Sequence, residues 1–203
     1  MTPGARGARL PHDWFGGVVP PNVVVGRDAY VETSYGFDAF ASTRAPGLVL
    51  GEAAGAYDRA TFAVGPDGQV TVGAYAELNG VTVFCHDRVT IGAYALLAWG
   101  VVITDSWLPP GETASLEARR AVLRAAASDP ERRLPALAPP RPVAIEAAVW
   151  VGFDAVILPG VTLGRGCVVG AKCVIAEDVP PYAVVAGNPP RVVRVLPPTD
   201  APP

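Results

Sequence analysis

Histidine is scarce in this chain of 203 residues, which holds only His12 and His86. Imidazole is the side chain whose ordinary pKa suits proton transfer near neutral pH, so acid–base chemistry has few candidates here. Lysine is scarcer still: Lys172 stands alone beside fifteen arginines, which we read as compositional bias. The three cysteines, Cys85, Cys167 and Cys173, are an odd set, and they read as reduced packing residues rather than a disulfide or a metal site. No apolar run reaches the roughly 18 residues that span a bilayer. The first ten residues carry Arg6 and Arg9 but no apolar segment, so they do not read as a signal peptide and a cytoplasmic location is expected. A net charge of −3 and a pI near 5.4 argue against a general nucleic-acid or membrane binder.

What the chain does have is apolar substance and a period. Half its residues are hydrophobic and its mean hydropathy is +0.30, which suits a large buried core in one elongated domain spanning 1–203. From Ile145 to Pro180 it reads in sixes, with an aliphatic residue opening each unit at Ile145, Val151, Ile157, Leu163, Val169 and Ile175. Four places on sits a small or β-branched residue: Val149, Ala155, Val161, Cys167, Cys173, Val179. Neither a helical period of 3.6 nor simple alternation produces this pattern, and a fixed period marks a repeat architecture. Each hexad supplies a short strand with two inward residues, and Gly, Asp, Pro or Asn between them turns a corner. Three hexads close a triangular turn, so residues eighteen apart stack about 4.8 Å above one another. Stacked turns then share one core that no single turn could bury.

Looser hexads extend upstream. Val25 and Val31 open a degenerate coil, the phase returns at Leu50, Ala56 and Phe62, and Gly65–Gly68 is a turn. Val72, Leu78 and Phe84 follow, then Ile91, Leu97 and Ile103, with one extra residue between 84 and 91 read as a bulged corner. The total is about six coils, roughly 29 Å of stacked strands. Residues 106–142 interrupt the pattern. There Thr113–Ala127, rich in Ala, Leu, Glu and Arg, reads as a helix with Leu116, Val122, Leu123 and Ala126 on its apolar side. Such an insertion is either a lid over a functional face or a flap packed on a neighbouring subunit. Residues 181–203 read as a closing segment that frays towards the C-terminus.

Val149-Trp-Val-Gly152, Ile157-Leu-Pro-Gly-Val161, Val169-Gly-Ala171 and Asp178-Val-Pro-Pro-Tyr182, followed by Ala186-Gly-Asn-Pro189, resemble the C-terminal half of hexapeptide-repeat acyltransferases. The likeness is to the branch of galactoside, maltose, nodulation-factor and xenobiotic acetyltransferases. It implies an all-β, left-handed parallel β-helix with a helical insertion. It also implies a homotrimer, with acetyl-CoA as co-substrate in the groove between protomers and a small acceptor such as a sugar. On that resemblance the pantetheine arm passes backbone groups near Gly152, Gly170 and Ala171. Trp150 matches the motif tryptophan, as a subunit-interface contact or a substrate contact. Asn79 sits where relatives hold an acceptor-binding amide. Arg191 and Arg194 follow the Gly-Asn-Pro motif, either as CoA-phosphate ligands or as a solvated charge pair. Pro190 stands where the family has alanine.

The larger departure concerns the base. The family places a histidine just after a coil, near Ser106–Pro110, to deprotonate the acceptor, and this chain has none there. The period offers His86 and Asp105 instead. Nineteen residues apart, they fall at the same corner of successive coils, where a carboxylate–imidazole hydrogen bond would raise the basicity of the ring. Asp105 alone, or Glu112 or Glu117 from the insertion, are the other candidates, and His86 on a solvated corner is the plain alternative. Cys85 beside it reads as packing rather than as a nucleophile. The zinc-dependent carbonic anhydrases of this fold need three histidines and are excluded, so no metal is expected. Two functions therefore stand: a CoA-dependent O- or N-acyltransferase, or a trimeric β-helix that has lost its base and serves as a binding or scaffold module.

Overall fold

The strands implied by the hexads are two to four residues long, too short to persist alone, and only stacking makes them stable. The computed structural model describes residues 7–106, 115–128 and 139–198, and in it they stack as a left-handed parallel β-helix. Its first face is built from Val23–Val25, Leu48–Leu50, Gln69–Val72, Arg88–Ile91, Val143–Ile145 and Thr162–Leu163. The second runs through Tyr30–Val31, Gly55–Tyr57, Glu77–Asn79, Leu96–Leu97, Trp150–Val151, Val168–Val169 and Ala183–Ala186. Thr61–Val64, Thr82–Cys85, Val102–Thr104, Val156–Ile157 and Val174–Ile175 make the third. Arg191–Val195 then turns back antiparallel to Ala183–Ala186 at the end of the second face.

The core is three columns of inward residues. Leu50, Val72, Ile91, Ile145 and Leu163 rise along the first face, and Ala56, Leu78, Leu97, Val151 and Val169 along the second. Fully burying each aliphatic side chain contributes about 1.5–3 kcal/mol, so the repeat is the main stabilising device. The expected openers occupy these columns with one exception. On the third face the column reads Phe62, Val83, Ile103, Ile157 and Ile175, so Val83 points in and Phe84 lies outside, 43% exposed. The expectation that Phe84 opens its hexad is thus corrected by one residue.

The cause is the corner before it. At this corner of the neighbouring coils the small partner stands four places after the opener, as in Ala56 and Ala60 or Leu97 and Val101, but Val81 stands three after Leu78. Gly80, at φ +55°, makes the tighter corner possible, and its N–H donates to the Tyr57 carbonyl at 2.9 Å. The lost residue is regained downstream, where the strand runs on through buried Cys85 before turning at His86–Arg88. The extra residue expected between 84 and 91 is therefore part of a paired deletion and extension.

The insertion leaves the third corner after Ser106 and rejoins it at Arg141, whose N–H donates to the Asp105 carbonyl at 2.7 Å. The carbonyl of Arg141 then accepts from Gly160 N–H at 3.0 Å, so the stack continues as though the insertion were absent. Within it a helix spans Leu116–Ser128, capped by Ser115 Oγ, which accepts from the Ala118 N–H at 3.0 Å. None of its residues is buried, so the apolar side containing Leu116 and Leu123 has no cover among the described residues. Trp107–Pro110 and Glu112 lie outside the described residues.

All three cysteines are buried and unpaired. Burial and the nearby Asp105 carboxylate push the Cys85 thiol up to about 12, and burial with Glu146 does the same for Cys167. A raised pKa keeps both groups as thiols at pH 8, so a thiol-reactive dye at that pH should label neither until the protein is denatured. Prompt labelling of the native protein would contradict this packing.

Candidate functional site

Two places on the prism collect the residues singled out by sequence. The first is a groove of about 530 Å³ along the second face and its corner, lined by Asn79, Trp150, Gly152, Gly170 and Ala171 together with Leu96, Trp99 and Phe153. Alternation explains it: the residues that flank each inward opener point out, and register stacks Leu96, Trp150 and Val168 in one row. Trp150 is 52% exposed, a large apolar surface for a single chain to leave in water. At the corner, Trp99 and Phe153 stack with ring centroids 5.7 Å apart, and Trp99 Nε1–H donates to Asp58 Oδ2 at 2.6 Å.

The glycines of the groove have a packing reason to be there. A Cβ on Gly152 would come within 2.7 Å of the Ala171 nitrogen, and one on Gly170 within 3.1 Å of the Val185 carbonyl oxygen. Their N–H groups are committed to the ladder, donating to Val169 and Val185 carbonyls at 2.8 Å. The Ala171 N–H has no acceptor among the described residues, nor have those of Trp99 and Phe153, so all three are free backbone donors in this wall. Asn79 Nδ2 donates to the Leu97 carbonyl at 3.3 Å, and that bond orients its Oδ1 away from the ladder as an acceptor.

Beyond Asn79 and Glu77 the groove opens towards a polar mouth walled by Tyr30, Tyr57, Glu32 and Asp58. Tyr57 folds over Gly55 and stacks on Tyr30 at 5.3 Å, and His12 stacks on the far side of Tyr30 at 5.2 Å. His12 is thus part of an aromatic pile, with Nε2 2.8 Å from the Val31 carbonyl oxygen.

The second place is the third corner. His86 and Asp105 do share it, on successive coils, but not as a hydrogen-bonded pair. Phe84 is in register with Thr104, so Cys85 faces Asp105 and His86 faces Ser106. Asp105 follows the inward column and is fully buried. Its carboxylate accepts from His86 N–H at 2.9 and 3.0 Å, from Asp87 N–H at 2.7 Å and from Arg88 N–H at 3.0 Å. It closes the extended corner by satisfying three backbone donors that the ladder does not reach. The nearest approach of imidazole to carboxylate is 4.0 Å, from His86 Nδ1 to Asp105 Oδ1. Instead Nδ1 lies 2.7 Å from Ser106 Oγ. The ring rests against Gly65 of the preceding coil, where a Cβ would meet its Cδ2 at 2.9 Å. Ser106 was missed because its role depends on the one-residue phase change at Gly80.

The remaining residues are dispersed. Arg191 lines a separate cavity of about 450 Å³ with Val174, Glu177, Asp178 and Asn188. Arg194 pairs with Val184, which continues the row of Trp150 and Val168. The Asn188 amide is structural: its Oδ1 accepts from Val174 N–H at 2.9 Å and its Nδ2 donates to the Lys172 carbonyl. Glu117 lies in the first turn of the insertion helix.

Residues 142–177 match the bacterial transferase hexapeptide model of six repeats. Chloramphenicol acetyltransferases of Agrobacterium fabrum and Escherichia coli are 48% and 44% identical over 46 and 50 residues, 23% and 25% of this chain. Those matches span less than a quarter of either relative, 22% and 24% of their lengths. A hexapeptide-repeat acetyltransferase from Vibrio cholerae O1 biovar eltor, solved with acetyl coenzyme A, superposes with a TM-score of 0.57 at 28% identity, covering 74% of this chain and 71% of that one. A galactoside acetyltransferase in complex with coenzyme A gives a TM-score of 0.52 at 26% identity, over 86% of this chain and 64% of its own. Residues 142–177 thus carry hexapeptide repeats, and the chain shares the β-helix fold of these solved acetyltransferases. The resemblance stated from its motifs and the fold it implied both hold.

Proposed function

We propose that the chain is a CoA-dependent acyltransferase, most simply an acetyltransferase, acting on a small hydroxyl- or amine-bearing acceptor such as a sugar. The observation that carries this is the groove: Asn79, Trp150, Gly152, Gly170 and Ala171, chosen from sequence, line one cavity. Its apolar wall suits a pantetheine arm, with the Ala171 N–H as an amide partner, and Arg194, with Arg191 beyond, lies towards the phosphate end. The polar mouth beside Asn79 takes the acceptor.

His86 is the base. An acceptor O–H or N–H gives its proton to Nε2 as the heteroatom bonds to the thioester carbonyl carbon. The tetrahedral adduct then collapses with loss of the C–S bond, and the imidazolium returns the proton to the CoA sulfur. On one prism the groove follows the second face and its corner, whereas His86 occupies the third corner. The site is therefore completed by another copy, and a homotrimer that sets the groove of one protomer against the His86 corner of the next supplies it. Exposed Trp150, Leu96 and Val174 suit such an interface. A cytoplasmic setting, where acetyl-CoA is made, fits the same reading. No helix among the described residues is long and apolar enough to cross a membrane.

The absence of histidine from 106–110 favours a second reading, a non-catalytic trimer that binds but does not transfer. Both readings meet in a calorimetric titration with CoA. One saturable site per chain is expected, and a titration without heat or saturation would remove the acyltransferase reading.

A further inference from the structure

We propose that Ser106 is the positioning residue for His86, fixing the imidazole with its proton on Nδ1 and its lone pair on Nε2. The inference rests on the acyltransferase reading for its catalytic meaning, while its structural content stands on the corner alone.

Three features combine. Ser106 Oγ is the hydrogen-bond partner of the ring, 2.7 Å from Nδ1, and Nε2 has no protein partner among the described residues. The Asp105 carboxylate cannot turn to replace it, because both its oxygens are held by the N–H groups of His86, Asp87 and Arg88. Its negative charge, 4.0 Å from Nδ1 in a fully buried position, still acts through space. An anion there favours the tautomer that presents an N–H on that side. Ser106 Oγ accepts the Nδ1–H and so holds the ring plane, the task a carboxylate performs in other acyl-transfer sites.

The serine itself is held. Its N–H donates to Thr104 Oγ1 at 3.2 Å, the same hydroxyl donates to the Ser106 carbonyl, and at 7% exposure little water competes for its Oγ. The opposite arrangement, Ser106 donating to Nδ1, would put the proton on Nε2, turn an N–H dipole away from the carboxylate and leave no base. A one-residue slip in the phase of this coil is what places a hydroxyl rather than a carboxylate under the ring.

The chain has two histidines, so selective ¹⁵N labelling of histidine gives two ring systems, and a His12→Gln variant assigns them. Long-range ¹H–¹⁵N spectra of the full chain above pH 8 should show the Nδ1–H form for His86 in the wild type. In Ser106→Ala the pattern should move towards the Nε2–H form that free histidine prefers, and Ser106→Thr should restore it. Acetyl transfer should fall about 10- to 100-fold in the alanine variant with CoA affinity unchanged, and recover in the threonine variant, as for orienting partners of histidine elsewhere. An Nε2–H form in the wild type overturns the proposal whether or not the variants fold, as does a tautomer indifferent to Ser106→Ala. If the tautomer follows Ser106 but the wild type transfers no acetyl group, the serine's role stands and the acyltransferase reading falls.

Discussion

Asp105→Ala lowers the unfolding midpoint by roughly 6–20 °C. The carboxylate is fully buried and satisfies the backbone N–H groups of His86, Asp87 and Arg88, the three residues of the extended corner. Removing it leaves those donors without partners where water enters poorly, and losing a buried, hydrogen-bonded charge costs about 3–5 kcal/mol. For a domain of this size each kcal/mol is worth about 2–4 °C. Asp105→Asn retains one carbonyl acceptor and should lose about half as much, because hydrogen bonds to charged groups are worth about 1.5–3 kcal/mol against about 1 for neutral ones. The same contacts position the His86 main chain, so both variants should also lose activity. A midpoint within about 2 °C of wild type in Asp105→Ala would show that the corner does not depend on this carboxylate.

His86→Ala lowers kcat by about 10²–10⁴, the usual contribution of a positioned base, with CoA binding intact. The side chain is 40% exposed and its ring makes one hydrogen bond among the described residues, so truncation leaves no buried group there unpaired. Little stability should be lost, and the fall in rate reports chemistry rather than folding. Mixed assemblies sharpen the expectation. If the base acts on the groove of a neighbouring protomer, trimers mixing His86→Ala chains with chains blocked in the groove regain activity at sites composed of one good half from each. His86→Ala at wild-type rate would take the histidine out of the mechanism and leave the insertion to supply the base.

The repeat from Ile145 to Ile175 was legible because every opener and every small residue obeys the period. Register then follows from counting, and the expected columns are the observed ones. The groove could be placed for the same reason: Trp150, Gly152, Gly170 and Ala171 lie in this regular half. Counting fails where a corner changes length. Gly80 shortens one by a residue, which throws Phe84 out and turns Val83 in, and a large aromatic outside with a small aliphatic inside reverses the usual guess. The consequence reaches the site directly, since the slip substitutes Ser106 for Asp105 as the partner of His86.

Corner chemistry was only partly readable too. Ala53, Tyr75, Tyr94, Ala148 and Tyr182 hold the left-handed conformation at the first corner, a place where glycine or asparagine is expected. Tyr75 and Tyr94 stack at 5.1 Å across neighbouring coils there. For Tyr75 and Tyr94 this stacking outweighs local preference, and the two partners lie nineteen residues apart in sequence. The helix in the insertion was visible from composition because local propensity decides it, and its observed span, Leu116–Ser128, begins three residues later than expected.

The most direct test of the account is acetyl transfer by the wild-type chain itself. Release of CoA thiol from acetyl-CoA is followed with a panel of sugars and amines, alongside a control without acceptor. The account predicts acceptor-dependent thiol release above the control, matched mole for mole by acetylated product. A protein that binds CoA yet releases no thiol with any acceptor would contradict it.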